Sequence, residues 1–324
     1  MLHALMSSDL TRANPTPLLV LVNPAAGGGR GREAGCRLVD ALHELGVRCT
    51  SVETTRSGHA KEIAATQMPG QVVVSVGGDG TAHETLNGLP LHEGRFGPMA
   101  VLPCGSGDDF ASSLGLSRDP ASLARTLTDP RLRRIDVGIA TYDGRDGHVR
   151  ERFANSASLG FDGEVAAEAR KPHRLRGRIH YAMAMLRALR RNPSFVGAIT
   201  IDDGEGTEPL RWSQELSLVA TGNGQRLGGG LRAWPQSRID DGLLDVLAVA
   251  ALPRPSMLWL FAKLVTGSLR EDRRIQTHRG RRIHVESDRP IVGALDGEGL
   301  PLDIREIRYE IAAEPLWMVD SSVP

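Results

Sequence analysis

Lysine is almost absent from this sequence. Of its 39 basic residues only three are lysines, and the rest are arginines. The glycine-rich stretch "NPAAGGGRGRE", residues 23–33, therefore lacks the Gly-Lys-Ser/Thr sequence that a P-loop requires. Any phosphate-binding site in this chain must therefore work without a P-loop lysine.

Cysteine is also scarce. The three cysteines, Cys36, Cys49 and Cys104, have no metal-ligand spacing, and their odd number argues against a disulfide framework. The sequence has no His-Glu-x-x-His, Cys-x-x-Cys or Gly-x-Ser-x-Gly motif, which argues against a metalloprotease, a zinc module and a serine hydrolase. We expect a protein of a reduced, cytoplasmic compartment.

Net charge and long apolar runs are missing as well. The formal net charge is zero, so we expect no nucleic-acid partner. The most apolar stretch, residues 257–269, contains Lys263 and is shorter than the ~20 residues of a membrane span. Residues 1–17 lack the pattern of a signal peptide. These features predict a soluble globular protein that does not cross a membrane.

The first part of the chain alternates between strand and helix patterns. The predicted strands are "PLLVLVN", "VRCTSVE", "VVVSV" and "PMAVLPC", with helical patterns between them and a helix from about Asp108. This order predicts an open parallel sheet, in which ligands bind beyond the carboxyl ends of the strands. Glycine turns at 27–31, 77–80 and 105–107 all fall at that edge.

After about Gly138 the pattern changes. Six further stretches predict strands with turn residues between them: "RFANSASLGF", "SFVGAITID", "QELSLVATGN", "LLDVLAVA", "RRIHVES" and "IREIRYEI". Helical patterns intervene at about 163–170, 178–191 and 255–266. We expect a mostly antiparallel, β-rich domain with inserted helices.

The stretch "VVVSVGGDGTAHETLNGL", residues 72–89, joins a buried strand to a helix through three glycines and one aspartate. Thr81 and Glu84 have capping-box spacing, so we expect the helix to begin there. The unpaired N–H groups of such a turn favour an anion, and we expect a phosphate. A carboxylate at Asp79 fits this place if a divalent metal ion or a proton transfer involves it.

Other carboxylates lie in turns of the same sequence. Asp108 and Asp109 would occupy the first turn of a helix, where simple capping also explains them. The turns at 239–246 and 295–300 are each explained singly by a hairpin. Their candidate carboxylates are Asp240, Asp241, Asp245, Asp296 and Glu298. Together with three glycine turns, these groups indicate phosphoryl transfer, which needs a phosphate cradle, Mg²⁺ and a base.

The ordered motifs resemble those of the diacylglycerol kinase catalytic-domain family, which also holds sphingosine and ceramide kinases. The motifs are "VNPAAGGGRG", "VGGDGTAHETLNGL", "LPCGSGDDFASSLG", "FANSASLGFDGEV", "GNGQRLGGGLRAWPQSRIDDGLLDV" and "DGE" at 296–298. They run in the family's order over about residues 18–316. Gly-Gly-Asp-Gly-Thr alone is also found in NAD kinases and phosphofructokinases, but the ordered set is specific.

The resemblance implies a two-domain fold. A nucleotide-binding α/β domain with a parallel sheet would span 17–138 and be joined by the C-terminal segment 313–324. A mostly antiparallel, β-rich lipid-binding domain would span 139–312. ATP would bind in the cleft between them, with Mg²⁺ as the second cofactor.

The resemblance also assigns roles to residues. The nucleotide-site residues carried over from the family motifs are Asn23, Thr54, Gly77, Gly78, Asp79, Gly80, Thr81, Glu84, Gly105, Ser106 and Asp108. Asp109 and Asp136 would join an acidic network linked to Mg²⁺, and Asp241 would match a structural metal site of bacterial members. Glu298, or else Asp79, would take the proton from the lipid hydroxyl.

Two positions depart from the family pattern. Asp108 replaces the usual Asn, and Ser106 the usual Thr; Arg30 or Arg32 would substitute for a basic residue common after the first motif. The function implied is ATP-dependent phosphorylation of a hydroxyl of a membrane lipid such as diacylglycerol. The alternatives are an NAD kinase-like activity on a soluble nucleotide, and a catalytically weak nucleotide or lipid sensor, which Asp108 would explain.

Residues 170–191 carry eight basic residues and no acidic one. Such a basic, amphipathic segment, with Arg174, Arg176 and Arg178, predicts reversible binding to an anionic membrane surface. A core-facing helix with a solvated arginine edge is the alternative. We therefore expect a cytoplasmic protein that contacts the inner face of the membrane transiently. The sequence does not decide between a monomer and a homodimer.

Overall fold

The computed structural model describes residues 17–144, 147–169, 178–191, 194–228, 230–266 and 273–321. The chain divides into two compact units. The first unit contains the described residues up to 105, residues 114–135 and residues 314–321; the second contains residues 106–113 and 136–313.

The helices of the described residues lie in both units. They are α1 (Arg30–Glu44), α2 (His59–Ala64), α3 (Asp79–Gly88), α4 (Asp109–Ser113), α5 (Pro120–Thr126), α6 (Phe161–Ala169), α7 (Arg178–Arg191) and α8 (Arg254–Thr266). A short 3-10 helix, Ala26–Gly28, precedes α1.

The strands form two sheets. They are β1 (Leu18–Val22), β2 (Cys49–Glu53), β3 (Val73–Gly77), β4 (Leu91–His92), β5 (Arg95–Pro103), β6 (Leu132–Ile135), β7 (Gly138–Gly144), β8 (Gly147–Phe153), β9 (Ser156–Gly160), β10 (Phe195–Asp202), β11 (Leu210–Gly222), β12 (Leu244–Ala250), β13 (Ile275–Gly280), β14 (Arg282–Ile291), β15 (Gly293–Leu295), β16 (Glu298–Gly299), β17 (Ile304–Ile311) and β18 (Leu316–Val319).

The sheet of the first unit has the order β2-β1-β3-β5-β18-β6, with β4 beside β5. Strands β1, β2, β3, β5 and β18 pair in parallel, whereas β6 and β4 pair antiparallel. The predicted α/β domain with a parallel sheet is therefore confirmed. The last strand, β18, returns from the second unit to pair with β5 and β6.

The parallel sheet forms because its strands are apolar on both faces. All five residues of β1 and all five of β3 are buried, as expected for strands covered by helices on either side. Helix α1 packs against this sheet through Leu38 and Leu42, which are fully buried on one helical face.

The capping-box prediction for α3 is wrong. The helix begins at Asp79, directly after the extended Gly78, two residues before Thr81. The Thr81 hydroxyl accepts a hydrogen bond from Asn23 instead, and the Glu84 carboxylate binds backbone N–H groups at the start of α2. Tertiary partners therefore outcompete the local cap that the spacing suggested.

The second unit is built on a mostly antiparallel sheet, as predicted. Its order is β16-β15-β9-β11-β10-β14-β17-β7-β8, and β12 pairs with both β11 and β13. The long strand β11 connects two parts of the sheet, because it pairs with β10 along its first half and with β9 and β12 along its second half. Helices α6, α7 and α8 contribute to a separate core cluster that includes Phe161, Met257 and Leu260.

The three predicted helical patterns of the second half correspond to α6, α7 and α8 within one or two residues. No helix of the described residues is long and apolar enough to cross a membrane. Of the predicted membrane-binding segment, residues 170–177 with Arg174 and Arg176 lie outside the described residues, and the side chain of Arg178 does too.

Candidate functional site

The first glycine turn follows β1. Asn23 accepts a hydrogen bond from the Ala25 amide at 3.1 Å and donates through Nδ2 to the Thr81 hydroxyl at 2.9 Å. This side chain therefore connects the first turn to α3. Gly27 has a left-handed φ of 59°, and a Cβ at this position would overlap the carbonyl oxygen of Cys104. Only glycine allows the first and third turns to approach this closely.

The second glycine turn follows β3. A Cβ at the buried Gly77 would overlap the Thr81 side chain, so glycine is required where α3 folds back over the strand end. Asp79 is the first residue of α3 and is half-buried, and Gly78 and Gly80 flank it. The carboxylate therefore lies at the N-terminus of the helix, where the helix dipole favours negative charge.

The third glycine turn follows β5 and is held by Arg30. The Cys104 amide donates to the Gly77 carbonyl at 2.9 Å, which extends the pairing of β3 with β5. The Arg30 guanidinium donates from Nη2 to the Gly105 carbonyl and from Nε to the Gly27 carbonyl, each at 3.0 Å. Arg30 thus connects the first and third glycine turns.

The fit of this edge to a phosphate group depends on its backbone amides. Among the described residues, the N-cap residues of α1 and α3, Gly29 and Gly78, form no side-chain capping bond. The first turns of both helices therefore receive no hydrogen bond from an N-cap side chain, and an anion is a suitable acceptor for their N–H groups. Thr54, at the carboxyl end of the neighbouring β2, is half-buried, and its amide donates to the Val22 carbonyl at 2.8 Å.

Glu84 has a defined structural partner. Its Oε1 accepts from the Gly58 amide at 2.8 Å and its Oε2 from the Ala60 amide at 3.2 Å. These are the amides of the N-cap residue, Gly58, and of the first turn of α2, so Glu84 supplies the carboxylate that the glycine N-cap cannot provide. The structure thus shows Glu84 bound to the start of α2. Its role in the nucleotide site stays a prediction.

The loop that follows Gly105 enters the second unit. Ser106 is exposed, whereas Asp108 is buried and has a left-handed φ of 57°. Aspartate and asparagine tolerate this conformation better than most residues. Asp109 begins the five-residue α4 and is buried as well. Each of these adjacent carboxylates disfavours ionisation of the other, unless a cation or hydrogen-bond donors lie nearby.

In the second unit, Asp136 supports the turn that contains Asp241. The Asp136 carboxylate accepts from the Gly242 amide at 2.6 Å, and its backbone amide donates to the Ile239 carbonyl at 2.8 Å. Asn223 donates through Nδ2 to the Asp136 carbonyl at 2.8 Å. Asp136 is therefore held within this unit through its carboxylate, its amide and its carbonyl.

The Asp241 carboxylate forms an ion pair with Arg279 and accepts from the Leu243 amide at 3.2 Å. Arg279 also donates to Asp245 at 3.1 Å. Burial raises the pKa of Asp245, with the nearby Asp241 acting in the same direction and Ser237 and Arg279 acting against it. Among the described residues no cluster of three or more His, Cys, Asp or Glu side chains could hold a metal ion. The metal roles of Asp109, Asp136 and Asp241 stay predictions.

The "DGE" turn is held by its first residue. The Asp296 carboxylate accepts from three consecutive backbone amides, those of Ala154, Asn155 and Ser156, at 2.9 to 3.0 Å. These bonds attach the hairpin of β15 and β16 to the connection between β8 and β9. Glu298, two residues further along, is exposed on β16. Its side chain is thus presented from a fixed turn.

Comparison with known proteins identifies the family of these motifs. The diacylglycerol kinase catalytic domain matches residues 17–140, and the YegS C-terminal NAD kinase beta sandwich-like domain matches residues 155–308. A Pseudomonas aeruginosa protein named "Probable lipid kinase YegS-like" is 30% identical over 299 residues, which cover 91% of this chain and 91% of that protein. The chain belongs to the diacylglycerol kinase catalytic-domain family.

Further relatives agree with this membership in a family of lipid kinases, for which ATP is the phosphoryl donor. The "Diacylglycerol kinase" of Mycobacterium tuberculosis is 29% identical over 283 residues, covering 86% of this chain and 88% of that protein. A crystal structure of a diacylglycerol kinase from Bacillus anthracis has the same fold, with a TM-score of 0.66, 22% identity and coverage of 95% of this chain and 97% of that chain.

The sequence pattern did not reveal every residue that shapes the diacylglycerol kinase motifs here. Arg30 was expected to substitute for a basic residue of the family, and its bonds to Gly27 and Gly105 could not be inferred from spacing. Asn155 and Asn223 lie within the family motifs, but the sequence predicts no individual role for either side chain. Both are buried amides that bond backbone carbonyls of other loops. An asparagine between two glycines, as in "GNG", is the signal that could have identified Asn223, whereas Asn155, in "ANS", has no such signal.

Proposed function

We propose that this protein transfers the γ-phosphoryl group of ATP to a hydroxyl group of a membrane lipid such as diacylglycerol. The observation that carries the proposal is the meeting of three glycine turns at the carboxyl edge of the parallel sheet. Two helix N-termini without side-chain caps begin at the first two of these turns. This edge supplies amide donors to a triphosphate without a P-loop lysine.

The proposed reaction follows the usual course of phosphoryl transfer. The lipid hydroxyl oxygen attacks the γ-phosphorus, the bond to the bridging oxygen breaks, and ADP leaves. The hydroxyl proton passes to a carboxylate, for which Asp79 and Glu298 are the two candidates. Mg²⁺ would neutralise the charge of the phosphates, and Asp109 and Asp136 are the carboxylates that the family motifs assign to it or its water ligands.

The lipid acceptor distinguishes this proposal from its alternatives. The named relatives are a lipid kinase and a diacylglycerol kinase, which supports a lipid rather than a soluble nucleotide as the acceptor. The buried Asp108, in place of the family's asparagine, is the observation that favours the sensor alternative. Its carboxylate accepts hydrogen bonds only, and it would repel a triphosphate unless a cation lies between them.

The test is transfer of labelled phosphate from ATP to a panel of lipids that includes diacylglycerol, ceramide and sphingosine. We expect a phosphorylated lipid that the wild-type protein forms and Asp79→Asn does not. Transfer to NAD instead of lipid would support the NAD kinase-like alternative. Binding of ATP or lipid without transfer to any acceptor would support the sensor and overturn the proposal.

A further inference from the structure

Helix α8 exposes apolar side chains on its outer face. Met257 and Leu260 are fully buried and point into the core of the second unit. Between them, Leu258 and Trp259 are 47% and 42% exposed. A tryptophan left in solvent is unusual because burial of its large ring is favourable, whereas its amphipathic indole suits the boundary between lipid headgroups and acyl chains.

Two cations accompany the indole. The Lys263 ammonium lies 3.9 Å from the centroid of the Trp259 ring, and the Arg274 guanidinium lies 5.8 Å from it. Arg274 precedes β13, so it comes from a different part of the chain than Lys263. We call Leu258, Trp259, Lys263 and Arg274 the Trp259 patch. The patch combines exposed apolar surface with positive charge.

The sequence around this patch is basic. Helix α8 contains no Asp or Glu, and residues 252–274 carry five basic and two acidic residues. The chemistry of the patch complements an anionic bilayer, since acyl chains accept the ring while headgroup phosphates accept the cations.

We infer that the Trp259 patch docks the protein on the surface of an anionic phospholipid bilayer. This inference rests on the proposed function, because a bilayer is where the acceptor lipid lies. The proposed membrane contact lies on α8, whereas the sequence alone predicted a membrane contact on the basic segment at 170–191. Helix α7 is linked to α8, since Arg254 donates to the carbonyls of Leu189 and Arg190.

The first test is co-sedimentation with vesicles of phosphatidylcholine that contain phosphatidylglycerol, without ATP or an acceptor lipid. Lys263→Gln and Arg274→Gln should each weaken binding about fivefold, as expected for ~1 kcal/mol per basic residue. Trp259→Ala should weaken it by about tenfold or more through loss of apolar contact. Binding should fall as salt rises, and vesicles of phosphatidylcholine alone should bind weakly.

Matched controls come from the same unit. Leu302 is a 65% exposed leucine and Arg289 an exposed arginine, both outside the patch. Leu302→Ala and Arg289→Gln should bind vesicles like the wild type. If these controls lose as much binding as the patch variants, or if the patch variants bind normally, the inference is wrong. If the patch variants lose vesicle binding and also change the oligomeric state, a second copy of the chain covers the patch. That result would also overturn the inference.

A second test reports insertion directly. The chain has four tryptophans, and vesicles with brominated acyl chains quench indoles that reach the apolar layer. Trp259→Phe keeps an apolar ring, so it should still bind, but the quenching should be lost. Quenching that persists in Trp259→Phe would show that another tryptophan enters the bilayer and would reject the patch.

The experiments distinguish failure of the proposed lipid kinase activity from failure of the proposed docking surface. Vesicle binding that depends on the patch, with no transfer to any lipid, would reject the proposed function and leave the docking surface intact. Transfer to a short-chain, dispersed lipid should survive in Trp259→Ala, while transfer to lipid in vesicles should fall. Equal loss of both activities would mean that Trp259 is structural.

Discussion

The Arg30 guanidinium donates to the carbonyl oxygen of Gly105, 75 positions further along the chain, at 3.0 Å. The same side chain donates to Gly27. The first and third glycine turns are therefore connected by one residue. Arg32, the other candidate to substitute for the family's basic residue, forms a bidentate pair with Glu53 at the surface. Arg30 is thus the arginine that shapes this edge of the sheet.

We predict that Arg30→Gln raises the KM for ATP about tenfold with a smaller effect on kcat. Two hydrogen bonds from a charged group to carbonyls are lost, and the glycine turns become free to separate. Arg32→Gln is the control, because an exposed ion pair contributes under about 1 kcal/mol and should leave the KM unchanged. Equal effects of the two substitutions would show that the connection has no role in nucleotide binding.

Glu84 gives a prediction about stability. Its carboxylate binds the Gly58 and Ala60 amides, so Glu84→Gln should lower the free energy of unfolding by about 1 kcal/mol. Thermal denaturation measures this, with Glu62→Gln as the control, since Glu62 pairs with Arg56 at the surface. An unchanged melting temperature with weaker ATP binding would instead support the nucleotide role expected from the family motif.

The regular elements were predictable where burial and periodicity agree. The continuous β-branched run of β3 is typical of a parallel strand that is covered on both faces. The apolar spacing of α7 and α8 also gave their bounds within one residue. In the site, the glycine turns could be placed at one edge of the sheet because parallel strands present all their carboxyl ends together.

Contacts between distant parts of the chain were not predictable. Glu84 matches a capping box at short range, yet its partner is α2, 24 to 26 positions earlier. Helix α5 was missed because it is short, although Asp119 caps it by accepting from Ser122 and Pro120 follows as its first residue. Which carbonyls Arg30 would bind depends on the closed tertiary structure.

Asp79 and Glu298 compete for the role of general base, and their variants should differ. We predict that Asp79→Asn lowers phosphoryl transfer by several orders of magnitude without unfolding the protein, since a charge is lost at the helix N-terminus where we propose that the phosphates bind. If Glu298 is the base, Glu298→Gln should lower kcat similarly while ATP binding persists. Steady-state kinetics and calorimetric ATP binding measure both effects. Activity within about tenfold of wild type for either variant would remove that residue from a central role.

Asp108 tests the departure from the family pattern. Asparagine tolerates the left-handed φ of this residue and removes the negative charge. Asp108→Asn should therefore fold normally and bind ATP about three- to tenfold more tightly, because repulsion of the triphosphate is relieved. Asp108→Ala should lose about 1 kcal/mol of stability from the unfavourable φ. Loss of activity in Asp108→Asn would show instead that the carboxylate is needed, as it would be for a metal ligand.

The predicted structural metal site at Asp241 can be separated from the ion pair seen there. If Mg²⁺ or Ca²⁺ binds this turn, a chelator should lower the melting temperature of the wild type by about 2–4 °C, which corresponds to ~1 kcal/mol for a unit of this size. Asp241→Ala should lower it similarly and abolish the effect of the chelator. Arg279→Gln removes the competing cation and should increase the stabilisation by added Mg²⁺ or Ca²⁺. A wild type insensitive to chelator, with equal destabilisation of Asp241→Ala and Arg279→Gln, would mean that the ion pair alone holds the turn.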